Sequence, residues 1–80
     1  MNALIERLEQ IIVVDIGNSA IKMAFATAVA RRKIELTRHL RMPDGTLDSA
    51  KLDAWAPRMP IRWLISSVHE AKLQSLLQWL

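Results

Sequence analysis

The chain contains no cysteine, and only two glycines and three prolines among its 80 residues. Without cysteine, neither disulfides nor thiolate metal sites can brace the fold, an absence that fits a reducing compartment. With glycine and proline so scarce, residues 27–32 must reverse without either, which predicts a loose loop rather than a tight hairpin. No apolar run approaches the ~20 residues needed to cross a bilayer. The first ten residues include Glu6, Arg7 and Glu9 and so lack the apolar core of a signal peptide. No internal repeat or low-complexity stretch is present. These absences predict a soluble, cytoplasmic chain with no membrane partner.

What is present is a hydrophobic fraction of 51%, ample for a core and contrary to disorder. A chain of this length makes one small domain that buries roughly 60–65% of the surface its unfolded form exposes. The net charge is +3 and the pI about 10.0. Much of the excess lies in RRKIELTRHLR, residues 31–41. Lys33, Glu35, Thr37, His39 and Arg41 alternate there with Ile34, Leu36 and Leu40, as in a strand with one wet face. Charges on such a strand discourage edge-to-edge association, and the pattern is read as a solvated face with no nucleic-acid partner. His39 has no second histidine nearby and is assigned no metal.

The remaining periodicities predict the element order β-β-β-α-β-α. Residues 1–9, with Ala3, Leu4, Ile5 and Leu8, have the spacing of a short amphipathic helical turn or two. Strands are expected over about 11–15, 20–27 and 33–41. In the second, Ile21, Met23 and Phe25 point one way and Ala20, Lys22, Ala24 and Ala26 the other. Pro43-Asp44-Gly45 is a turn signal, and Thr46 or Asp48 is a cap for a helix over 49–56 with Leu52, Trp55 and Ala56 inward. Pro57 and Pro60 end that helix. Residues 61–66 are nearly all apolar and predict a central strand. Ser67-Val68-His69-Glu70 has the form of a capping box for a helix reaching Leu80, with Leu73, Leu76, Leu77 and Leu80 as its buried stripe and Trp79 exposed.

The stretch with chemistry in it is IIVVDIGNSAIK, residues 11–22. Ile11–Val14 shows no polar alternation and suits a central strand buried on both faces. It runs into Asp15, and then into Gly17 and Asn18, which tolerate positive φ where a chain reverses sharply. A carboxylate at a strand end, beside a turn rich in backbone N–H donors, suits a metal-bound phosphate. Asp15 would hold the cation, the loop amides and the Ser19 hydroxyl the phosphate oxygens, and Lys22 would reach the same oxygens as a mobile charge. An ordinary turn and a snorkelling lysine account for the same residues structurally.

Asp15-Ile16-Gly17-Asn18-Ser19-Ala20-Ile21-Lys22 resembles the first phosphate motif, Asp-x-Gly-Asn-[Thr/Ser]-x-x-Lys, of the type III pantothenate kinases. These belong to the sugar kinase, Hsp70 and actin superfamily of ATP-binding folds. LISSVHEAKLQSLL, residues 64–77, is similar to the family's strand, Ser-Ser-Val turn and following helix. The resemblance implies an incomplete ribonuclease H-like domain with a mixed sheet in the order 3-2-1-4, and the eight motif residues as contacts of the ATP phosphates. It also implies Mg²⁺ at Asp15, a monovalent cation (K⁺ or NH₄⁺), pantothenate as substrate, and a homodimer when complete. The family's Gly-x-Asp-Arg segment, with the expected general base, and its second Asp-x-Gly-Thr motif would lie beyond Leu80. The chain is therefore read as an N-terminal part of a pantothenate kinase-like protein, with a non-catalytic ATPase-fold interaction or regulatory module as the alternative. Phosphoryl transfer needs both reactants positioned in a dry, charge-neutralising cleft. The isolated chain is accordingly expected to make no phosphopantothenate from ATP and pantothenate; product above that of a mock preparation would refute this.

Overall fold

The computed structural model describes residues 10–29 and 33–80. The helical turns expected over residues 1–9 lie outside the described residues, as do residues 30–32 of the expected loop, whose residues 27–29 instead continue the second strand. The elements run β1 (Gln10–Ile16), β2 (Ile21–Val29), β3 (Lys33–Met42), α1 (Ser49–Trp55), β4 (Arg62–Ser67) and α2 (Glu70–Trp79). The four strands form one mixed sheet in the order β3-β2-β1-β4, the order expected. Strands β1–β2 and β2–β3 pair antiparallel, and β1–β4 pair parallel. A parallel neighbour requires a crossover, and α1 with its flanking turns lies in the segment that makes it.

Both helices pack on one face of the sheet. Ile12, Val14 and Ile16 from β1 and Ile21, Met23 and Phe25 from β2 meet Met42, Leu52 and Leu76 there in one buried cluster. Full burial of each leucine contributes about 1.5–3 kcal/mol. The opposite face is open. Strand β1 is central, but Ile11 and Val13 are only half-buried and Asp15 is exposed, so it is not covered on both faces as its apolar run suggested. Strand β4 pairs with β1 alone. It is an edge strand of the described sheet rather than a central one, and Leu64 is 61% exposed.

Strand β3 departs most from its expected alternation. Thr37 pairs with Phe25 and Leu40 with Met23, so Arg38 and His39 together face the single residue Ala24. This is a β-bulge, and Arg38 takes φ 52° within it. The extra residue reverses the side-chain parity of the strand. Leu40 and Met42 turn into the core, whereas Ile34 and Leu36 lie on the open face at 67% and 52% exposure. The single wet face read from residues 33–41 is therefore two half-faces. Trp55 secures the bulge: its Nε1–H donates to the Arg38 carbonyl, and its ring packs on Phe25 at 4.9 Å. The Arg38 guanidinium covers the same phenyl ring at 4.8 Å. These contacts offset the roughly 1–2 kcal/mol that a left-handed residue costs.

The first helix starts as expected, with Asp48 accepting the Lys51 N–H at 3.1 Å. The second does not. Its cap is His69, whose Nδ1 accepts the Lys72 N–H at 3.3 Å. Ser67 instead exchanges hydrogen bonds with the His69 backbone, both at 3.0 Å, and Glu70 accepts from Gln74 at 2.8 Å. The buried stripe also differs from the one expected. Leu73, Leu76 and Trp79 face the core, while Leu77 and Leu80 are 45% and 52% exposed. Trp79, expected outside, packs edge-on against Trp63 at 5.8 Å and donates to Asp53 at 2.8 Å.

Leu76→Ala is expected to cost about 2–5 kcal/mol of unfolding free energy, the range for emptying a packed leucine site. Leu77→Ala should cost under about 1 kcal/mol, as for a surface change. Urea unfolding followed by far-ultraviolet circular dichroism checks the pair; equal losses would restore the stripe read from the spacing.

Candidate functional site

Side-chain parity decides what the motif residues can reach. Because Ile12, Val14 and Ile16 face the helices, Asp15 must face the open side. Ile16 and Ile21 are fully buried, and Ala20 nearly so. Of the eight motif residues, these three have only their backbones to present to a ligand. Asp15, Asn18, Ser19 and Lys22 are exposed, and Gly17 is half-buried.

The turn between β1 and β2 is tight. Gly17 N–H donates to the Ala20 carbonyl at 2.9 Å, and Val68 N–H to the Ile16 carbonyl at 3.0 Å, which continues the parallel ladder beyond Ser67. Neither Gly17 nor Asn18 takes a positive φ. The left-handed conformation anticipated for them is found instead at Gly45, with φ 73°, and at the bulge. The N–H groups of Asn18 and Ser19 meet no acceptor among the described residues.

Across the sheet, Lys22 stands directly opposite Asp15, Ser66 is level with Asp15 on β4, and Arg41 is level with Lys22 on β3. All four are exposed, and strand parity puts all four on the open face. They form one row, Arg41–Lys22–Asp15–Ser66, across roughly 14 Å at the usual strand spacing. The sequence reading brought Asp15 and Lys22 together but left Arg41 on a solvated strand and Ser66 in a turn. No spacing signal links these distant residues; only strand register aligns them. Beside the row is a shallow, mostly apolar depression of about 280 Å³ lined by Val13, Ala24, Leu36 and His39 as well as Asp15 and Lys22.

A third missed residue approaches from the helix side. Lys72 Nζ donates to the Asn18 carbonyl and, at 3.5 Å, to the Gly17 carbonyl. Gly45 lies against it, so a Cβ at Gly45 would collide with Lys72 Nζ and Cε and press on the Ser19 backbone. The β1–β2 turn, the turn after β3 and the start of α2 thus converge on one ammonium group.

No family model, curated protein or solved structure matches the chain. The site is accordingly read from its chemistry. Two cations, one carboxylate, the Ser19 and Ser66 hydroxyls and two amides that meet no acceptor among the described residues suit an anion that brings its own cation. Among the described residues no three His, Asp or Glu side chains cluster as a metal cage. Asp15 fits Mg²⁺ held mainly by water and phosphate oxygens, which needs only one or two carboxylates. The Gly17 and Asn18 carbonyls both accept from Lys72. Among the described residues no helix is long and apolar enough to cross a membrane.

Gly45→Ala is expected to destabilise the chain by about 1–3 kcal/mol, since it forces a side chain into a left-handed backbone and displaces Lys72. Chemical denaturation measures this directly; an unchanged midpoint would show that the turn and Lys72 do not depend on glycine.

Proposed function

We propose that the chain is the phosphate-binding N-terminal part of a pantothenate kinase-like protein of the ribonuclease H-like, actin-type ATPase class. Such a protein transfers the γ-phosphoryl group of ATP to the hydroxyl of pantothenate, the first step toward coenzyme A. The observation that carries the reading is the seating of DIGNSAIK. Its carboxylate lies at the end of the central strand of a sheet in the order 3-2-1-4, its lysine stands level with that carboxylate, and the Asn18 and Ser19 amides between them meet no acceptor among the described residues. The parallel pairing of β1 with β4, and the passage of β4 into α2, support the fold side of the reading.

In this role the amides of Asn18 and Ser19 and the Ser19 hydroxyl donate to phosphate oxygens. Lys22 and Arg41 neutralise their charge from one side, and Arg41 has the planar fork suited to two oxygens at once. Asp15 is the residue that would hold Mg²⁺. When bound, Mg²⁺ supplies neutralisation of charge across the phosphates. The chain has no residue in a motif context for the base that would accept the pantothenate hydroxyl proton, so it supplies one wall of the site. The proposed cytoplasmic location rests on the sequence composition, and the homodimer of a complete protein on the resemblance alone.

A specific observation favours the interaction-module reading: Ile34, Leu36 and Leu64 leave an apolar open face on the sheet. Titrating the ¹⁵N-labelled chain with Mg²⁺-ATP separates the two. The kinase-lineage reading expects the amide resonances of residues 17–22 to shift, and Asp15→Asn to weaken Mg²⁺-dependent binding by about tenfold or more, as for loss of a charge-assisted contact. Thermal stability should change little, because an exposed carboxylate contributes little to folding. Absence of shifts in residues 17–22 at millimolar nucleotide would favour the module.

A further inference from the structure

We propose that Lys72 is the positioning residue of the anion-binding loop: its ammonium holds the Gly17 and Asn18 carbonyls toward α2 and so turns the Asn18 and Ser19 N–H groups toward the ligand. The proposal deepens the phosphate reading and rests on it for the identity of the anion.

The argument begins with peptide geometry. In a trans peptide the carbonyl of one residue and the N–H of the next point in opposite directions, and the described residues contain no cis bond. Lys72 takes the carbonyls of Gly17 and Asn18, which belong to the same two peptide planes as the N–H groups of Asn18 and Ser19. It reaches them from α2, on the helix-covered side of the sheet. The two amides must therefore point away from α2, toward the side that carries Asp15, Lys22 and Arg41. Their lack of acceptors among the described residues leaves them free for an anion. A loop of four residues has other ways to orient two peptide planes, and flipping either one would present a carbonyl to the phosphates and repel them. A lysine ammonium has no acceptor capacity, so it selects the arrangement with both carbonyls turned inward.

The surroundings are shaped for this contact. Lys72 is half-buried, and its own N–H is fixed by the His69 cap at 3.3 Å. The space its tip occupies exists because residue 45 has no Cβ. Three segments distant in sequence thus maintain one ammonium-to-carbonyl contact. Lys72 itself stays behind the loop, so it acts through the amides and not on the anion.

The test compares the ¹⁵N-labelled full chain with Lys72→Met, which keeps an apolar stem of similar length. Inorganic triphosphate with Mg²⁺ is the probe, and Leu77→Ala is the control on the same helix. In Lys72→Met the Asn18 and Ser19 amide resonances should shift and exchange faster with solvent, while those of β1 and β4 stay in place. Triphosphate affinity should fall by about tenfold or more, the scale of one charge-assisted contact. Leu77→Ala should change neither. Unmoved Asn18 and Ser19 amides in a folded Lys72→Met would overturn the proposal, as would moved amides with unchanged affinity. If wild type binds no triphosphate yet the loop moves in Lys72→Met, the phosphate reading fails while the hold of Lys72 on the loop is supported. Should Lys72→Met not fold, the wild-type lysine ¹⁵Nζ spectrum decides. A slowly exchanging Lys72 ammonium coupled to the Gly17 and Asn18 carbonyl carbons supports the proposal, and one exchanging as freely as Lys51 overturns it.

Discussion

Burial of alternate residues of β1 under two helices is the constraint on which the rest of the structure depends. Ile12, Val14 and Ile16 can meet Leu52 and Leu76 only if the residues between them face the other way. That parity sends Asp15 to the open side, and strand pairing then brings Lys22, Arg41 and Ser66 level with it. A slip of one residue in β1 would bury the carboxylate and expose three β-branched or bulky apolar side chains. The cost of that exchange fixes the register. The polar row is thus held in place by the core beneath it rather than by contacts among its own members.

The two irregular points of the backbone among the described residues serve the same arrangement. The bulge at Arg38 changes parity within β3, so that Met42 and Leu40 complete the core while Arg41 joins the row. Without the extra residue, the strand would put either its first half or its last half on the wrong side. Gly45 makes the other departure, just after β3, where a left-handed residue returns the chain toward α1 and leaves space for Lys72. Each irregularity carries a local conformational cost, and each is tied to an element far away in sequence, Trp55 in one case and Lys72 in the other.

The open face has a mixed character that follows from the same parity. Its upper end is polar, with the row at the C-terminal ends of β1 and β4. Its middle is apolar, with Val13, Leu36 and Leu64 separated by the small Ala24 and Ala26 of β2. Alanine at these central positions keeps the surface shallow beside Asp15 and Lys22, which is where the depression lies.

The sequence by itself determined the elements and their order. Local signals were sufficient for this: apolar runs or alternation for the strands, Asp48 as a cap, Pro43-Asp44-Gly45 as a turn, and a carboxylate followed by turn formers at the end of β1. It also brought Asp15, the Gly17–Ser19 loop and Lys22 together at one turn, because a hairpin joins residues already close in the chain, while strand parity decided which of their side chains are exposed. Tertiary structure alone decided everything that depends on register between distant strands. Arg41 and Ser66 carry no spacing relation to Asp15, and the bulge that sends Ile34 and Leu36 outward depends on what Trp55 and Phe25 offer across the sheet. The stripe of α2 was misread for a related reason. Leucine spacing marks a helix but not which face is covered, and here Trp79, packed on Trp63 and bonded to Asp53, takes a core-facing place. Lys72 was hidden most completely: a half-buried lysine in the first turn of a helix has no signature in sequence, and its role is defined by two carbonyls more than fifty residues away.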